Sequence, residues 1–73
     1  MNDSRPNTPP IASEKIAIDR KSFFLDLKEN ARGRFLKLTE EMGGRRDTIM
    51  LPREAFAEFA EALTRLVEFE SKF

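Results

Sequence analysis

The sequence contains no cysteine and no histidine in 73 residues. Without cysteine there are no disulfides and no thiolate chemistry, and without histidine there is no imidazole base. The two absences together also remove the commonest zinc ligands. No apolar run approaches the ~20 residues that a membrane-spanning helix needs, and no signal-peptide pattern follows Met1. Gly43-Gly44 precedes a strand pattern, so it is not the Gly-rich loop that cradles phosphates ahead of a helix. The expectation is a soluble, intracellular, cytoplasmic protein with no membrane partner, no cofactor, no metal and no small-molecule substrate. A binding protein is expected, and not an enzyme.

The formal net charge is also zero, but the charges are segregated. Residues 20–46 carry Arg20, Lys21, Lys28, Arg32, Arg34, Lys37, Arg45 and Arg46 against four carboxylates. Residues 47–73 carry twice as many carboxylates as cations. A fold that separates these segments would offer phosphate one basic surface.

Residues 1–11 are rich in Pro, Asn, Ser and Thr and offer little to bury, so a disordered tail is expected there. From residue 12 to residue 73 there is room for one small domain, marginal as a single copy. Ile16 and Ile18 alternate with Lys15, Ala17 and Asp19 in a first strand. In the second, Lys21–Lys28, the residues Phe23, Leu25 and Leu27 fall on one side, and Ser22, Phe24, Asp26 and Lys28 on the other. A turn over 29–33, with a bulge, leads to a third strand from Arg34 to Glu41. There Leu36 and Leu38 oppose Phe35, Lys37 and Thr39. A Gly-Gly turn over 42–46 precedes a short fourth strand, Asp47–Leu51.

At Pro52 the period changes. Phe56, Phe59, Ala60, Leu63, Leu66 and Val67 recur at spacings of three and four, the stripe of an amphipathic helix running to about Ser71. Phe69 and Phe73 lie off that stripe and add apolar surface. The predicted fold class is α+β: a four-stranded, curved antiparallel sheet with one C-terminal helix on one face. The open face carries Phe24, Lys28, Phe35 and Lys37. Cations for phosphates and flat rings for bases are what a single-stranded nucleic-acid platform requires.

The run from Lys21 to Leu38, KSFFLDLKENARGRFLKL, resembles the signature of the PUR repeat of the Pur-alpha-like, purine-rich-element-binding proteins. The resemblance extends from about Ala12 to Phe69, most specifically over Phe23–Lys37. Ser22, Phe24 and Asp19 depart from it, standing where Arg, Tyr and an uncharged polar residue are usual. The resemblance implies a single-repeat, bacterial-type member whose β-β-β-β-α repeat pairs with a second copy in an intertwined, Whirly-like homodimer. It also implies binding of single-stranded, purine-rich (G-rich, GGN-type) DNA or RNA, passive strand separation, a part in transcription regulation and a place in the cytoplasm or on the bacterial nucleoid. Carried onto this chain, the nucleic-acid-binding residues are Lys21, Lys28, Asn30, Phe35 and Arg46. Arg32 and Lys37 join them on charge and position, and Phe35 is the stacking ring. The dimer-interface candidates are Phe56, Phe59, Leu63, Leu66, Phe69 and Phe73. The alternative is a dimerisation or protein-interaction module that has kept the fold without nucleic-acid binding.

Overall fold

Each alternating segment forms a strand. The computed structural model describes residues 9–72. Four strands, β1 (Ala12–Ile18), β2 (Lys21–Asn30), β3 (Gly33–Met42) and β4 (Arg45–Pro52), form one antiparallel sheet in the order β1-β2-β3-β4. A 3-10 turn, Arg53–Ala55, leads into the helix α1 (Phe56–Glu70). The expected β-β-β-β-α order is therefore present. The tail expected over 1–11 falls mostly outside the described residues, as does Phe73. Within them, the Ile11 N–H already donates to the Leu27 carbonyl at 2.7 Å.

The turns are tighter than expected, and the strands correspondingly longer. Asn30 pairs with Gly33, and the register then runs unbroken to Lys21 opposite Met42. The connection is thus the two residues Ala31 and Arg32, with no bulge inserted in the ladder. Asn30 makes this possible by accepting the Arg32 N–H on Oδ1 at 2.8 Å, an Asx turn, while Gly33 takes φ 125°. Gly43 and Gly44 take φ 57° and 85°, the paired positive values that a two-residue hairpin loop of matching twist requires. That turn lets β4 begin at Arg45, two residues before the expected Asp47.

The larger difference concerns the helix. A helix packed on one face of the sheet is expected, but Phe59, Leu63, Leu66, Val67 and Phe69 are all more than half exposed. Ile16, Ile18 and Ile49, on the apolar side of the sheet, are about half exposed as well. Among the described residues only Leu51 and Thr39 are buried. The radius of gyration is 14.6 Å, against about 11 Å for a compact chain of this length. The chain spans 50 × 31 × 16 Å, so it is elongated and thin. The physical reason is local. The chain leaves β4 through Pro52, whose backbone is extended at φ −69° and ψ 156°, and the helix then starts without folding back over β2 and β3. Two apolar surfaces, one on the sheet and one on the helix, are left without a partner surface in this chain.

Candidate nucleic-acid interface

Strand register assigns every side chain of the sheet to one of two faces. On the apolar face, Ala12, Leu27, Leu36 and Leu51 form one row across the four strands, and Glu14, Leu25, Leu38 and Ile49 form the next. The opposite face holds the mixed rows. Lys28, Phe35 and Pro52 stand side by side; the next row is Ser13, Asp26, Lys37 and Met50, and beyond it Lys15, Phe24, Thr39 and Thr48. The last row, Ala17, Ser22, Glu41 and Arg46, closes the far end. This polar face carries the cations Lys15, Lys28, Lys37 and Arg46 against only Asp26 and Glu41. The apolar face carries Lys21, Arg34 and Arg45 against Glu14, Glu29, Glu40 and Asp47. The excess of positive charge therefore lies on the face that also bears the rings.

Ion pairing sharpens this contrast. Lys21 Nζ lies 2.9 Å from Glu40 Oε2, and Arg34 Nε lies 3.8 Å from Glu29 Oε2, both on the apolar face. On the polar face Arg46 Nε lies 3.8 Å from Glu41 Oε2, the same distance as in the Arg34 pair. Lys15, Lys28 and Lys37 take part in no ion pair among the described residues. Partly exposed pairs of this kind contribute little to stability, but they determine which ammonium groups are already matched.

The structure brings Lys28, Phe35, Lys37 and Arg46 onto one face. Asn30 and Arg32 stand at its end, in the β2–β3 turn. Lys21 does not join them. It shares the side of Phe23, its ammonium 6.0 Å from that ring, and it is held by Glu40. Phe35 is half-buried beside an open cleft of about 670 Å³, where Asn30, Arg32, Met50, Pro52 and Arg53 also contribute to the wall.

Two features of this face were not among the expected site residues. Lys15 extends over Phe24, with Nζ 5.4 Å from the ring centroid. The signal was available: Ile16 and Ile18 point to the apolar side, which puts Lys15 on the side of Phe24 once the strands pair. Pro52, expected to open the helix, extends the row of Phe35, and Met50 extends the row of Lys37. On the helix, Phe59, Leu63, Leu66 and Phe69 present apolar surface outward, and Phe56 is half-buried at its start.

The family model described as PurA ssDNA and RNA-binding protein matches residues 1–72. The chain belongs to that family. Among curated relatives, it is 40% identical over 62 residues to the human transcriptional regulator protein Pur-beta, covering 84% of this chain and 20% of that protein. It is 35% identical over 60 residues to transcription factor Pur-alpha 1 of Arabidopsis thaliana, covering 82% and 20%. It is 35% identical over 71 residues to the human purine-rich element-binding protein gamma, covering 80% and 20%. The chain thus spans about a fifth of the length of these relatives. No helix among the described residues is long and apolar enough to cross a membrane.

Proposed function

We propose that residues 12–73 form a single PUR repeat that binds single-stranded, purine-rich DNA or RNA on its polar sheet face, without catalysis. The observation that carries this reading is the row of Lys28, Phe35 and Pro52, flanked by Lys15 over Phe24 and by Lys37. Ammonium groups that no carboxylate among the described residues holds neutralise phosphates, and Phe35 offers its ring to a base. Each base stacked on an aromatic ring contributes roughly 1–3 kcal/mol. Strand separation, where it occurs, is passive and driven by binding alone. The names of the relatives, transcriptional regulators and a purine-rich element-binding protein, support a regulatory role of the same kind here.

The same reading has a second copy covering the apolar faces, in an intertwined, Whirly-like homodimer that acts in the cytoplasm or on the nucleoid. The exposed helix stripe and the half-exposed Ile16, Ile18 and Ile49 of the sheet support it, because contiguous apolar patches beyond a few hundred Å² mark interaction surfaces. This surface also supports a second reading, a pairing module that binds no nucleic acid. Fluorescence anisotropy with GGN-repeat and oligo-thymidine strands at several salt concentrations separates the two. The expected result is tighter binding of the GGN strand, with affinity falling steeply with salt as counterions are released. Absence of binding to either strand, or an affinity indifferent to salt, would leave the pairing module as the function.

A further inference from the structure

A carboxylate in the middle of a phosphate-binding face calls for an explanation. Asp26 lies at the centre of the polar face, with Phe24 and Lys28 two residues away along β2 and with Ser13 and Lys37 directly across. Phe35 is its diagonal neighbour, at about 7–8 Å between backbones. Asp26 is half-buried, and among the described residues it takes part in no ion pair, although a lysine stands opposite. Among the described residues its partner is neutral: the Ser13 hydroxyl donates to Oδ1 at 2.6 Å. Each carboxylate oxygen has two acceptor positions, so one remains on Oδ1 and two on Oδ2.

We infer that Asp26, oriented by Ser13, reads guanine. The inference rests on the nucleic-acid reading above and names the group that selects the base. A carboxylate repels phosphate, so the part of a strand over Lys15, Lys28 and Lys37 that suits this position is a base edge carrying donors and not the backbone. A base stacked on Phe35 presents its edge there. Among the bases, adenine and cytosine offer one exocyclic amino group beside an acceptor. Guanine alone offers N1–H and N2–H side by side, two donors spaced for the two oxygens of a carboxylate. N1–H donates to one oxygen of Asp26 and N2–H to the other, and no proton is transferred. A bidentate contact of this kind discriminates against the wrong base by about tenfold to hundredfold.

The test replaces guanine in a GGN-repeat strand by inosine, which lacks the N2 amino group, and in a second strand by 7-deazaguanine, which lacks the N7 acceptor. The wild-type protein is expected to lose about tenfold in affinity on the inosine strand and to bind the 7-deaza strand nearly as it binds the parent. Asp26→Asn keeps the shape of the side chain and is expected to bind guanine and inosine strands alike, with oligo-thymidine bound no more weakly than by wild type. Wild-type protein that binds inosine as tightly as guanine would overturn the inference without needing any variant to fold. So would an Asp26→Asn protein that still prefers guanine, or a loss confined to the 7-deaza strand, which would assign the reading to a cation on the N7 and O6 edge. Absence of salt-dependent binding to any strand would instead bring down the functional reading beneath it.

Discussion

Lys15 of β1 and Phe24 of β2 are direct partners across the first strand pair, and the ammonium lies over the ring, 5.4 Å from its centroid. The contact gives an edge-strand lysine a defined place on the polar face. Exposed cation–π pairs are worth ~0.5–1 kcal/mol. In a double-mutant cycle of Lys15→Ala and Phe24→Leu, the stability coupling is expected to be of that size. Lys15→Ala should also weaken oligonucleotide binding. A cycle with no coupling, together with unchanged binding, would remove this pair from the interface.

Phe35 is the ring on which stacking most depends. Phe35→Ala is expected to weaken binding of a GGN strand by about 1–3 kcal/mol, roughly five- to more than a hundredfold. Its melting temperature should change by only a few degrees, because Phe35 lies on the face away from the leucine rows. Anisotropy and thermal melting on the same preparation check both halves. Loss of the melting transition would make Phe35 a structural residue.

Lys28 and Lys21 belong to the same strand and face opposite ways. Each phosphate neutralised on a single strand contributes about −0.7 to the slope of log affinity against log salt. Lys28→Ala is expected to make that slope shallower by about that amount, and Lys21→Ala to leave it unchanged. The salt-dependence of the two variants against wild type decides the matter. An equal effect would mean that the strand also passes the side of β2 where Glu40 holds Lys21.

Leu66 is 65% exposed in the single chain. A substitution at a site that stays exposed changes stability by only about 0.5 kcal/mol. A leucine covered by a partner costs about 2–5 kcal/mol when cut back to alanine. Leu66→Ala is expected to fall in the larger class, and the wild-type melting temperature to rise with protein concentration, as mass action requires of a dimer. Sedimentation of wild type and variant over a range of concentrations provides the direct measurement. A small effect, with a melting temperature independent of concentration, would remove the proposed pairing.

Much of this architecture was legible from alternation. The opposed sets Phe23, Leu25, Leu27 and Phe24, Asp26, Lys28 appear on opposite faces, as do Leu36, Leu38 and Phe35, Lys37. The same alternation puts Lys21 with Phe23. It was counted with the site only through family resemblance, and register moves it to the apolar side. The hairpin ends were harder to read, because Asn and Gly permit several turn lengths. Only the Asn30–Arg32 hydrogen bond and the positive φ of Gly33, Gly43 and Gly44 resolve them into short loops. The course of the helix was not legible, for a more basic reason. A stripe such as Phe59, Leu63 and Leu66 says that a surface is to be buried, but nothing in its period says against which chain.

That thinness also bears on how the protein comes into being. Among its described residues a single copy buries only Leu51 and Thr39, so a newly made chain has almost no interior in which to hold its hairpins together. In the proposed dimer, acquiring structure becomes a second-order encounter. Its rate falls with the square of the number of free chains, and a scarce chain stays open to proteases for longer than an abundant one. The level at which the protein is made would then decide not only how many binding faces exist but whether each chain survives to form one.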